Sequence, residues 1–147
     1  MASPSQSKVC FFFDGLKFKL PDRTALKHFI TEIFRKEKQQ LQELNLIFCT
    51  DKRLLEINRD FLQHNYYTDI ITFDLTPPGA KAKMAEIYIS VDRVRDNAKT
   101  QDQRFQDELH RVIFHGALHL CGFKDKSAAE KALMRKKEEF YLEAYFR

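Results

Sequence analysis

One segment constrains this chain more than any other. Between about Arg104 and Cys121, Leu109, Val112, Ile113, Leu118 and Leu120 recur densely enough to predict a strongly apolar helix, yet that helix carries His115 and His119. Residues four apart lie on one face, about 40° apart around the axis and roughly 6 Å along it. Both imidazoles can therefore reach one ion. Gly122 stands where a helix C′ glycine would end the helix and turn the chain back, and Asp125 follows three residues later. A bare pair of histidines four apart also arises by chance. Here, however, two unpaired imidazoles would be costly to bury in so apolar a stretch. His115, His119 and Asp125 have the spacing of a zinc site with an open fourth position. Position 116 is glycine, whereas the helix of a zinc protease places glutamate directly after its first histidine as general base, so a protease of that type is disfavoured. A metal can still lower the pKa of bound water to about 7.

The rest of the chain has to supply a core for that helix. Of 147 residues 44% are apolar and 31% charged, with four Gly and four Pro, which is a globular composition with room for one domain. Residues 1–8 read as a disordered tail, and 9–147 as a single metal-dependent hydrolase domain. Strands are predicted over 9–13, 44–49, 69–75 and 86–90, and Lys17-Phe18-Lys19-Leu20 alternates as a strand returning from an Asp14-Gly15 turn. Leu26, Phe29, Ile30, Ile33 and Phe34 mark a helix after Pro21-Asp22. Thr50 is a candidate N-cap for a helix over 51–62, Ser90 or Asp92 starts another to about 97, and Ser127-Ala-Ala-Glu130 spells a capping box for a last helix. The pattern is α+β, a small sheet with two long helices at the end. No apolar run approaches the roughly 18 residues that span a bilayer, and three cysteines, Cys10, Cys49 and Cys121, fit a reducing cytosol rather than a disulfide framework.

Net charge is +4, with 25 basic and 21 acidic residues, which permits a polyanionic partner without requiring one. The basic residues nearest in sequence to the histidine helix, among them Arg111, Lys124 and, on the short helix, Arg59, would suit phosphate contacts. Lys131, Arg135, Lys136 and Lys137 alternate with glutamates as a solvated helix face would. Asp69 and Glu86 could orient a ligand imidazole or accept a proton. Equally, Asp69 could serve a turn or cap and Glu86 a solvated strand end. His28 and His110 read as surface or boundary histidines, and the role of His64 in the 63–67 loop stays open.

The residues around this helix resemble the YbeY family of metal-dependent endoribonucleases. His115, Gly116, Leu118, His119, Leu120, Gly122 and Phe123 match the family motif H-G-x-L-H-L-x-G-[YF]-D-H. Asn58 followed by Thr68-Asp69-Ile70-Ile71-Thr72-Phe73 resembles L-N-x-x-Y-R…T-D-V-L-S-F, and Glu86-Ile87-Tyr88-Ile89-Ser90 with Asn97-Ala98 resembles G-D-I-x-I-S…N-A. Three positions depart from the pattern. Asp125 stands at the third histidine with Lys124 before it, Leu62 stands at the arginine, and Glu86 replaces an aspartate. Arg59, one turn earlier on the same helix face, is the candidate to replace that arginine.

The resemblance implies a zincin-like fold, a small mixed β-sheet packed against helices. It implies one Zn²⁺ per chain on His115, His119 and Asp125, with Arg59, Asp69 and Glu86 as catalytic candidates and Arg59, Lys124 and Arg111 as substrate contacts. The implied activity is single-strand-specific endoribonucleolysis in 16S rRNA 3′-end maturation and ribosome biogenesis, on the small ribosomal subunit, in the cytoplasm and away from membranes. Two alternatives come from other classes: a non-catalytic, metal-containing RNA-binding protein of ribosome biogenesis, and a metal-dependent hydrolase of a small ester or amide.

Overall fold

The computed structural model describes residues 8–147, so most of the predicted 1–8 tail lies outside the described residues. Four strands form one mixed sheet in the order β1-β2-β4-β3: β1 is Val9–Asp14, β2 Gln40–Cys49, β3 Ile70–Asp74 and β4 Ala82–Ser90. β1, β2 and β4 run parallel, and β3 closes one edge antiparallel to β4. Helices α1 (Arg23–Lys36) and α2 (Asp51–Leu62) lie in the connections between parallel strands. They are followed after β4 by α3 (Val91–Thr100), α4 (Phe105–Leu120) and α5 (Ala128–Phe146).

Strand alternation sends side chains to two different cores. Leu44, Leu46 and Phe48 of β2 join Ala85, Ile87 and Ile89 of β4 in the larger core, with residues of α1, α4 and α5. On the opposite face Cys49, Ile71, Phe73 and Tyr88 pack with Leu54 and Ile57 of α2. α4 is buried nearly all round, as a helix at the centre of a core must be. At Gly116 it passes close against the sheet. A Cβ there would stand 2.9 Å from the Cδ1 atoms of both Ile70 and Ile87.

The local signals at helix ends are realised. Thr50 Oγ1 accepts from the Arg53 amide, Ser90 caps α3, and Ser127 and Glu130 form the reciprocal capping box of α5. Past α4, Gly122 adopts φ +105°, the Phe123 amide donates to the Leu118 carbonyl and the Gly122 amide to that of His119. That pair of bonds is a Schellman closure.

Three expectations differ. Residues 17–20 form no strand, because β1 pairs in parallel with β2 instead of turning back on itself. Their alternation reflects a loop whose Phe18 packs on Phe13, Phe48 and Phe105 and whose Leu20 is buried. β2 and β4 begin earlier than expected, at Gln40 and Ala82, and those two residues pair with each other. Ladder hydrogen bonds there override a polar, turn-like sequence. α3 also runs on to Thr100. Among the described residues no helix is long and apolar enough to cross a membrane.

Candidate metal centre and its cleft

The last two turns of α4 and the Schellman turn after it bring three donors together. Ligand atoms of His115, His119 and Asp125 all lie within 4.8 Å of one another. Nε2 of His115 and Nε2 of His119 are each 3.3 Å from Asp125 Oδ2. The other nitrogen of each ring is already engaged. His115 Nδ1 is 2.7 Å from Glu138 Oε2 on α5, and His119 Nδ1 is 2.8 Å from the Phe123 carbonyl, which the Gly122 turn presents. A carbonyl only accepts, so His119 Nδ1 carries the proton and its Nε2 lone pair faces Asp125. The Glu138 carboxylate sets the same tautomer on His115. Two imidazole lone pairs and a carboxylate oxygen turned to a common point suit a cation, and the nitrogen-and-oxygen donor set suits Zn²⁺. Hydrogen bonds at the far nitrogens are the usual outer support of ligand histidines.

Burial opposes a charge on His115, but the Glu138 hydrogen bond and the surrounding carboxylates outweigh it and leave the imidazole pKa raised. Burial raises the Asp69 carboxyl, against the lowering effect of backbone hydrogen bonds, the His115 charge and Asn97. Asp69 and Asp125 line a cleft of about 570 Å³ together with His115, His119, Asn58, Leu62, His64 and Tyr66.

The remaining candidates separate. Glu86 accepts from the Tyr88 hydroxyl at 3.2 Å and does not line the cleft. It alternates with Ile87, whose side chain faces α4, and so projects from the other face of the sheet. Arg59 is exposed on α2 and is not among the lining residues, whereas Asn58 and Leu62 of the same helix are. Lys124 is exposed beside Asp125. Arg111 is not a free cation. It pairs with Glu138 at 3.2 Å and Glu139 at 2.9 Å, with Glu108 at 3.8 Å, so its charge is engaged within the protein. His110 proves to be a core residue, 1% exposed and ringed by Phe114, Tyr145 and Phe146, because it faces the α5 end rather than solvent. Cys121 is half-buried and its thiol is pushed up to about 12, chiefly by burial, which leaves it a poor metal ligand.

Glu138 is the residue beside the candidate centre that motif reading missed. It sits in a run of lysine, arginine and glutamate that looks solvated, yet it is 5% exposed. The signal that could have found it was its register: Met134, Glu138, Tyr141 and Leu142 are the buried residues of α5, so a carboxylate occupies a position on the apolar stripe.

Comparison with known proteins extends beyond the motif. The family model for endoribonuclease YbeY matches residues 17–146. Endoribonuclease YbeY of Cytophaga hutchinsonii is 48% identical over 134 residues, covering 91% of this chain and 93% of that protein. The Porphyromonas gingivalis protein of the same name is 43% identical over 133 residues, covering 90% and 87%. A Thermotoga maritima protein solved in solution superposes with a TM-score of 0.64 at 28% identity, over 94% of this chain and 89% of that one.

Proposed function

The chain belongs to the YbeY endoribonuclease family, and on that premise we propose that it is a zinc-dependent endoribonuclease of single-stranded RNA, acting in 16S rRNA 3′-end maturation on the small ribosomal subunit in the cytoplasm. We take residues 9–147 as one hydrolase domain. The observation that carries the reading is the convergence of His115 Nε2, His119 Nε2 and Asp125 Oδ2, each imidazole held from behind by Glu138 or Phe123.

In this reading His115, His119 and Asp125 hold one Zn²⁺, which when bound supplies Lewis acidity toward a phosphodiester. Glu138 and the Phe123 carbonyl keep the two rings in the ligating tautomer. Asp69, on the cleft wall with its carboxyl raised by burial, is the group suited to accept the proton of an attacking water and return it to the leaving oxygen. Asn97 Nδ2 donates to Asp69 at 3.4 Å and orients it. Lys124 and Arg59, both exposed, are placed for phosphates outside the cleft. Arg111 instead fixes Glu138.

The test combines elemental analysis with cleavage of a single-stranded RNA by wild-type protein and Asp125→Ala. The expected result is near one zinc per chain with cleavage in wild type, and loss of both in the variant. Products ending in 3′-hydroxyl and 5′-phosphate support water as nucleophile, whereas a 2′,3′-cyclic phosphate transfers that role to the RNA 2′-hydroxyl. Metal without cleavage in wild type would leave a non-catalytic binding protein. Wild-type protein that takes up no added zinc would sink the metal assignment.

A further inference from the structure

The cleft has a rim unlike its floor. The His64 and Tyr66 rings stack, with centroids 5.2 Å apart and planes 19° from parallel, and the Tyr66 hydroxyl lies 3.0 Å from His64 Nδ1. Both residues line the cleft that contains His115, His119 and Asp125, and Tyr66 is 56% exposed. The backbone that carries these exposed rings is tied down. Gln63 ends α2 in the left-handed region at φ 56°, and the His64 amide donates to the Asn58 carbonyl at 3.1 Å. The side chain of Asn58, itself buried, donates to the Tyr66 carbonyl at 2.9 Å. The rings are thus presented before any ligand arrives, which lowers the ordering cost of binding.

The charges of the same cleft favour a particular kind of contact. Among the described residues that line it there is no Lys or Arg, while Asp69, Asp74 and Asp125 are present, with Asp74 engaged by Lys83 at 3.2 Å. Inside the cleft, side-chain cations therefore supply no affinity for phosphate, whereas the uncharged face of a base meets no repulsion from the carboxylates. Leu62, 40% exposed, adds an apolar edge beside the rings.

We propose that the His64–Tyr66 stack is a nucleobase platform, on which one unpaired base of the RNA substrate stacks while the neighbouring phosphodiester lies over the His115–His119–Asp125 centre. This rests on the ribonuclease reading and adds its substrate subsite. Stacking on an aromatic face accepts any base, so the platform selects for single-strandedness rather than for sequence. A base already stacked in a duplex has no free face to offer.

Binding of a short, fluorescein-labelled, single-stranded 2′-O-methyl RNA to the zinc-loaded full chain, read by anisotropy with the strand shown on a gel to stay intact over the measurement, tests this apart from cleavage. Tyr66→Ala should bind about tenfold more weakly, and Tyr66→Phe should stay close to wild type. One abasic position along the strand should weaken wild type by about the same factor and leave Tyr66→Ala unaffected. The chain has no tryptophan, so Tyr66→Trp introduces a single indole reporter whose emission should be quenched by an unlabelled strand of the same RNA. Three results would each overturn the platform: wild-type affinity in Tyr66→Ala, an abasic loss identical in both proteins, or unquenched indole emission from Tyr66→Trp with RNA bound. Failure of wild type to bind the RNA at all would instead overturn the ribonuclease reading.

Discussion

Glu138 Oε2 lies 2.7 Å from Nδ1 of His115, so the middle of the last helix fixes the ring of a candidate ligand on the helix before it. The same carboxylate receives Arg111 at 3.2 Å, and Arg111 in turn reaches Glu139 and Glu108. Glu138→Gln removes the charge and keeps the shape. Zinc affinity should fall by about tenfold or more, as for other residues that support a ligand from behind. Competition against a chromophoric chelator measures it, and unaltered affinity would remove Glu138 from the site.

Zinc should also stabilise the fold, because the three proposed ligands join the end of α4 to the turn that leads into α5. At a free concentration about 100-fold above Kd the linkage is worth about 2.7 kcal/mol. Chelator-stripped wild type should therefore melt lower than the zinc-loaded protein, and Asp125→Ala should lose most of that increment. Equal melting temperatures with and without zinc would contradict the assignment.

Gly116→Ala sets two effects against each other. A helix interior gains roughly 0.5–1 kcal/mol from alanine, but the new methyl would stand 2.9 Å from Ile70 and Ile87 in a close-packed core. Overpacking of this kind costs about 1–3 kcal/mol. Net destabilisation of about 1 kcal/mol is expected in urea unfolding, and a stabilised variant would show that the sheet yields easily.

His110 gives a pH signature. Burial lowers its pKa below 6.5, against the hydrogen bond of Nδ1 to the Gln106 carbonyl. A depressed imidazole pKa means that the unfolded chain binds the proton more readily. The contribution of His110 to stability is thus fully present above 6.5 and lost as pH falls from there through the folded-state pKa. His110→Phe should flatten the acid limb of stability against pH in that window. A limb of unchanged slope would contradict it.

What the chain reveals by itself depends on range. The caps at Thr50, Ser90 and Ser127, the stop at Gly122 and the His115–His119–Asp125 spacing are made by residues within a few positions of each other, so they can be read directly. The residues alone left Asp69 open between a role at the site and a turn or cap, because its approach to the histidines needs β3 docked against α4. Residues 17–20 satisfied a strand pattern because a loop that tucks Phe18 and Leu20 into the core alternates in the same way. Arg111 looked free to meet a polyanion, since nothing near it in sequence announces that Glu138 and Glu139 of α5 will claim it. The charge pattern of α5 hid Glu138 for the same reason: its neighbours in sequence are solvated, and its neighbours in space are not.

The mixed sheet has a consequence for the order in which this molecule assembles. Its parallel pairings join Val9 to Leu44 and Leu44 to Ala85, contacts distant along the chain that are slow to close. The contacts that shape the cation centre lie nearer in sequence: His119 to Phe123 and Asp125 within a turn, and His115 to Glu138 across one helix hairpin. With the proposed ligands, an α4–α5 hairpin would be able to trap an ion before the sheet is complete, and an ion so trapped would act as a staple on the last third of a still-folding chain. Asp69 arrives only with β3. On the proposed assignment, metal loading and catalytic competence would be separate events, the ion being held while the chain still lacks the wall against which RNA would be cut.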